Sequence, residues 1–424
     1  MAARGVRYFV AATAVLAFAA YVTIYTRGYA DAPIRSDGFS YYVYLPATFI
    51  YGDPSLDALS RDWYGGTFPD FTAIRKWPGT GRWVDAVPIG VAVQMLPFFL
   101  GAHLLSWWSN LPRDGFSFYY QHAAGLAGLT YFVLGLALVR RLLRPHFSDG
   151  VVLTTLVALT WGTNLFHYGT FDATFSHAFS FFLICAWFAV LDRWWTRPTS
   201  GGSMALGILA ALIVLVRNVN AIFLLLLPLY GGLRLRDLWH RRGSLTVAAA
   251  VGAGCLTPQL VLNRAATGSW VVNSYQLLPN HFVFTSPRIA AVLFSTQKGL
   301  FFWSPLLLLA ILGAVVATGW SRRLVPAALV IFGLQTYLIA SWTDWQLGGS
   351  FGHRAFTDGL GIAAPLLASA FAWAAERRWA RPAVGAFASA AVLLSIAQMT
   401  QYWLGILPII DTTWDQYREL FLRF

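Results

Sequence analysis

Charge is scarce in this 424-residue chain: only 11% of its residues are Asp, Glu, Lys or Arg. A soluble domain carries about 25%, so a water-soluble globular fold is excluded. Cysteine is nearly missing. Cys185 and Cys255 both fall inside apolar runs, which rules out a disulfide framework and a cysteine-built metal site; both read as small core residues. Lysine is rarer than its partner cation, with two lysines against 28 arginines. No Walker phosphate loop, HExxH or GxSxG occurs, so neither ATP-driven transport nor intramembrane metalloproteolysis is supported. Low-complexity segments and internal repeats are also missing.

What is present is apolar. Hydrophobic residues make up 57% of the chain and mean hydropathy is +0.57. The apolar runs approach 20 residues, enough to cross about 30 Å of hydrocarbon at about 1.5 Å per residue. The expected class is therefore an all-α, polytopic membrane helix bundle. A membrane barrel would show alternating segments of about 10 residues. The net charge of +12 is no nucleic-acid signal, because the arginines sit in short clusters between apolar runs, as in cytoplasmic loops. The N-terminal run continues through Thr26 without a small-residue cleavage site and reads as an uncleaved first span.

Six basic clusters order the topology: Arg4 and Arg7; Arg140, Arg141 and Arg144; Arg193 and Arg197; Arg234, Arg236, Arg241 and Arg242; Arg322 and Arg323; and Arg377, Arg378 and Arg381. If all face the cytoplasm, each intervening segment crosses an even number of times. That predicts spans near 8–26, 117–139, 150–169, 174–192, 244–262, 301–319, 323–341, 357–376 and 383–404. The run 203–232 becomes two short helices meeting near 217–220, with a single tilted span as the rival. The total is about 11 spans, N-terminus inside and C-terminus outside, forming one domain over 1–424. The apolar stretch 87–110 would break the count if it crossed. It is expected to lie on the outer face as an amphipathic or re-entrant element, inside a first outer loop of 27–116.

Under this topology the outer side collects polar groups. Asp37 lies in SDGFSYYVYLP between Ser36 and Gly38, where the glycine leaves room beside the acid; Tyr41 and Tyr42 follow. The alternative is that Asp37 merely caps a helix at 39–51. Asp53, Lys76 and Arg82 share the first loop. Lys76 and Lys298 both fall in outer loops and suit a phosphate, though two residues also fit chance usage. FDATFSHAFSFF carries Asp172 and His177, whose spacing is not that of a helical metal pair; no metal site is expected. Arg217, deep in an apolar run, needs an anion or a buried partner. WTDWQLGGSFGHRAFTD brings Asp344, His353, Arg354 and Asp358, with glycines that let backbone approach a ligand and an arginine fork for phosphate oxygens.

The order of SDGFSYYVYLPATFIYGDPSL, RKWPGTG, FDATFSHAFSFF, STQKGLFFWSP and GGSFGHRAF resembles the C-type (GT-C) glycosyltransferase superfamily. The resemblance spans about 36–360 and is nearest to bacterial aminoarabinose transferase and protein O-mannosyltransferase-like enzymes. It implies an inner-membrane enzyme that moves a sugar from a polyprenyl-phosphate donor to a glycan, lipid or protein acceptor on the outer face, with inversion. Asp37 takes the place of the first-loop acid that acts as general base. Lys76 matches a lysine that approaches the donor phosphate, and Arg354 is a second phosphate ligand. Lys298 and Arg217 are further phosphate candidates; Asp172, His177, His353, Tyr41 and Tyr42 are candidates for substrate binding or support. Many members carry two adjacent acids, whereas Gly38 follows Asp37 here, which leaves a paired-acid metal role without its second ligand. No cofactor beyond the lipid co-substrate is implied. The rival class is a transporter or lipid flippase.

Overall fold

The computed structural model describes residues 2–233 and 235–424; Arg234, and the side chains of Arg4 and Arg7 from the first basic cluster, lie outside the described residues. The fold is a helix bundle. Its principal helices are α1 (Ala2–Thr26), α2 (Asp37–Tyr42), α3 (Gly90–Trp108), α4 (Phe118–Leu143), α5 (Asp149–Trp161), α6 (Ser176–Thr196), α7 (Ser200–Val216), α8 (Arg242–Thr267), α9 (Leu308–Val316), α10 (Val325–Ser341), α11 (Leu360–Ala375) and α12 (Ala380–Trp403). The described strands are β1 (Ile74–Lys76) and β2 (Trp83–Asp85), an antiparallel pair that sets Ile74 opposite Asp85 and Lys76 opposite Trp83.

Small residues bring the helices together. Gly128 of α4 meets the backbone of Ala173, Gly313 of α9 meets that of Leu366 in α11, and Gly207 of α7 meets Ala248 and Gly252 of α8. Apolar surface between helices gains nothing from leaving lipid, so close backbone approach supplies the association.

Among the described residues, seven helical segments are long and apolar enough to cross a membrane, and five apolar ones are shorter, at 10–17 residues. The expected span 150–169 ends as a helix at Trp161, and 301–319 is broken at Ser304 before Pro305. Proline has no backbone N–H and disfavours helix in the residue before it. The expected total of about 11 is therefore not reproduced by helix length. The stretch 87–110, assigned to the outer face, forms the 19-residue α3 and is one of the seven. Composition and length do not set it apart from the others. Its neighbours are specific: α3 runs antiparallel to the first half of α4, with Tyr131 donating to Gln94 O at 3.2 Å and His103 bonded to Tyr120 at 2.7 Å. Both flanks are tied to the first loop, Val87 O by Tyr44 and Gly115 O by Tyr42.

The run 203–232 is two helical pieces. α7 stops at Val216, Arg217 is extended, and a 3-10 helix resumes at Asn218. Near one end of α6, Trp194 donates to Ser203 and Tyr230 donates to Asp192. At the other end of α6, Asn220 donates to Ser180 at 3.0 Å. The chain thus rises along α6, turns at 217–220 and returns. The Asp192–Tyr230 end is also where Arg241 caps the carbonyls of Trp194 and Trp195, where Arg323 O receives Gly231 N, and where His146 stacks on Trp320. Several arginine clusters therefore gather at one end of the bundle, and the first-loop residues gather at the other.

Candidate functional site

The backbone around Asp37 is held from several directions. Pro33 O accepts from Thr174 Oγ1 at 2.7 Å, and Ile34 N donates to Gln121 Oε1 at 2.9 Å. Ser36 adopts φ 46°, a left-handed conformation that costs a non-glycine residue about 1–2 kcal/mol and persists only where the surroundings enforce it. Gly38 lies so close to Thr174 that a Cβ there would run into its Oγ1. Asp37 begins α2, but Ser36 provides no side-chain cap.

The Asp37 carboxylate is 40% exposed and accepts from Arg354 Nη1 at 2.7 Å. Arg354 starts a 3-10 turn that leads into α11, and its guanidinium also lies over the Phe175 ring, 5.5 Å from the centroid. One turn later Asp358 is fully buried. Its Oδ1 bonds His177 Nδ1 at 2.8 Å and its Oδ2 accepts from Arg217 Nη1 at 3.1 Å. Arg217 thus has the buried partner that its depth required. Asp37, Arg354, His177 and Arg217 all line one cavity of about 350 Å³, together with Tyr41 and Asp344.

Asp344 reaches the cavity from the loop after α10. Burial raises its carboxyl above the usual range. The rest of the wall mixes hydroxyl, amide and aromatic groups, including Ser176, Asn218, Asn273, Tyr275 and Trp342, with aliphatic residues such as Val87, Ile222 and Leu338. Such a wall offers both donors and acceptors with flat apolar faces. Behind it sits Asp85, fully buried on β2. One carboxyl oxygen accepts from Val87 N at 3.1 Å and the other has no hydrogen-bond partner among the described residues; burial, with the Asp37 charge adding to it, raises this acid well above the usual range.

At Gln335 the cavity meets a second space of about 230 Å³ that is almost wholly apolar. Phe301, Ala310, Phe332, Phe356, Leu360 and Leu366 line it. Gln335 borders both and donates to Ala355 O at 2.8 Å.

The other expected site residues fall elsewhere. Lys76 is exposed on β1 and stacks over Trp83 at 4.9 Å, outside the cavity wall. Lys298 is 1% exposed and donates to the carbonyls of Ser350 and Ile409, bracing the 350 loop against the C-terminal segment. Burial, with Arg354 nearby, pushes its pKa down to about 8. Tyr42 is buried on Gly115 O at 2.6 Å. His353 is buried with neither ring nitrogen hydrogen-bonded among the described residues, and burial plus the charges of Lys298, Arg354 and Arg217 push its pKa down to about 3. Asp172 is also absent from the cavity wall; it bonds Arg35 and His167.

Sequence reasoning missed Asp85, Tyr275, Asn218, Asn273 and Gln335 as site residues. An acid inside the strand-forming WVDAV was a usable signal for Asp85; the amides carried none. No family model, curated protein or solved structure matches the chain.

Proposed function

We propose that this chain is a polytopic membrane glycosyltransferase that transfers a sugar from a polyprenyl-phosphate donor to an acceptor, with Asp37 as the base. The observation that carries the reading is the shape of the site. A cavity lined by two acids, Asp37 and Asp344, and two arginines shares Gln335 with a neighbouring apolar space, which suits a ligand with a charged, hydroxylated head and a hydrocarbon tail.

In this reading the acceptor oxygen attacks the anomeric carbon on the face opposite the phosphate. Its proton passes to Asp37, a step worth about 10²–10⁴-fold in rate. The bond from the anomeric carbon to the phosphate oxygen breaks, and Arg354 and Arg217 meet the charge that develops there. No strong acid is required, because a phosphate already leaves well. The reading leaves out Lys76, which stands on the hairpin outside the cavity wall, and Lys298, whose ammonium is turned to the carbonyls of Ser350 and Ile409. The amide and aromatic wall would hold sugar hydroxyls. The cavity lies at the end of the bundle away from the arginine clusters, which supports a site on the outer side of the membrane.

The experiment is incorporation of labelled sugar from a polyprenyl-phosphate donor by the purified protein in lipid vesicles. Binding of the lipid without transfer to any acceptor would favour a carrier or flippase instead.

A further inference from the structure

Arg35 stands two residues before Asp37 and faces away from the cavity. Its Nη2 donates to Asp172 Oδ1 at 2.7 Å and to Phe171 O at 3.0 Å, and its Nη1 donates to Ala32 O at 3.0 Å. The guanidinium also lies 5.0 Å above the Phe171 ring. The other Asp172 oxygen, Oδ2, is 2.9 Å from His167 Nε2. His167 Nδ1 is 2.9 Å from Trp403 Nε1. An indole can only donate, so Nδ1 accepts, and the single imidazole proton sits on Nε2 and is given to Asp172. The tautomer is fixed from α12. His167 is fully buried and Asp172 is nearly so. None of Arg35, His167, Asp172 or Trp403 lines the cavity.

We infer that Trp403, His167, Asp172 and Arg35 are positioning residues: a hydrogen-bonded chain from α12 that clamps the 32–38 backbone and sets where the Asp37 carboxylate sits. This rests on the reading of Asp37 as the base. The clamp explains why the strained Ser36 and the crowded Gly38 flank that acid: Arg35 on Asp172 and Thr174 on Pro33 O hold the chain just before the turn, and Thr174 abuts Gly38 just after it. A carboxylate carried by a loop has to be fixed to well under 1 Å, because a displacement of about 1 Å costs about 10²-fold. Asp172 and His167 therefore act through Asp37 and not on the substrate.

The test uses the full-length protein in lipid nanodiscs with Arg35→Gln, Asp172→Asn and Trp403→Phe. The first readout is the rate at which a water-soluble carbodiimide modifies Asp37, measured by mass spectrometry against the fully exposed Asp70. Arg35→Gln and Asp172→Asn are expected to raise it about threefold or more, and Trp403→Phe less, as local order is lost. The second readout is transfer. kcat should fall about 30-fold in Arg35→Gln with KM for the lipid donor held within about twofold. Combining Arg35→Gln with Asp37→Asn should cost no more than Asp37→Asn alone, because residues that act through one group are not additive. Unchanged Asp37 labelling in folded Arg35→Gln and Asp172→Asn, or additive losses, would overturn the inference. If the wild type transfers no sugar, the glycosyltransferase reading fails, while the labelling still decides the positioning role. If the two charge variants do not fold, Trp403→Phe decides it by the same labelling.

Discussion

The Arg354 guanidinium donates to the Asp37 carboxylate at 2.7 Å, joining residues 317 positions apart in the chain. One nitrogen serves the acid. In the proposed function the remaining donors of the planar fork meet a phosphate in fixed directions, which the point charge of a lysine ammonium does not reproduce. Arg354→Lys is expected to weaken competition by an isoprenoid monophosphate about tenfold and to slow transfer. Unchanged inhibition by that lipid would remove Arg354 from the phosphate site.

Asp358 takes its two partners from two different elements, His177 of α6 and Arg217 at the turn after α7. Asp358→Asn leaves the Arg217 charge without its buried counter-ion, at an expected cost of about 3 kcal/mol. The thermal midpoint should drop clearly. Arg217→Met with Asp358→Leu should recover much of that stability while transfer stays impaired, since apolar pairs can replace buried ion pairs without loss of stability. Both are measured by thermal unfolding in detergent alongside the transfer assay.

Part of this was legible in the sequence. Asp37, Arg217, His177 and Arg354 could be gathered because an ionisable residue at a helix end in so apolar a chain has few places to go. The break at Arg217 was visible as two halves too short to cross. Length alone could not place α3, whose 19 apolar residues fit a span as well as a re-entrant helix. The surroundings of the lysines were not legible: Trp83 opposite Lys76, and the two carbonyls around Lys298, are tertiary neighbours that no spacing reveals. Asp172 was singled out in the sequence, but its partner Arg35 was not, since pairing across 137 positions depends on the fold.

Gly38 is set by contact and not by its dihedral angles. Gly38→Ala would drive a methyl into Thr174 and displace the start of α2. The expected result is a loss of transfer of about 10²-fold with a stability change of about 1–3 kcal/mol. Trimming the opposing hydroxyl with Thr174→Ala in the same chain should restore part of the rate. No recovery would show that the contact is not the cause.

Asp172 gives the fold a pH dependence whose sign is fixed. Burial alone would raise its pKa, but the His167 bond and the Arg35 charge hold it near about 2, against an ordinary 3.8. The unfolded chain therefore takes up this proton first as pH falls. The contribution, on the order of 2 kcal/mol, is fully present above the ordinary value and is lost as pH falls through the native one. Asp172→Asn should flatten the acid limb of the thermal midpoint between about pH 5 and 3. An identical limb in wild type and variant would contradict this.

The central claim is that Asp37 takes a proton during sugar transfer. Its most direct measurement is turnover of purified Asp37→Asn beside the wild type, in lipid vesicles, with a polyprenyl-phosphate sugar and a labelled product. The expected result is donor-dependent transfer by the wild type and a fall of about 10²–10⁴-fold in the variant, with thermal midpoint and lipid-phosphate binding retained. Near-normal turnover by a folded Asp37→Asn protein would contradict the account.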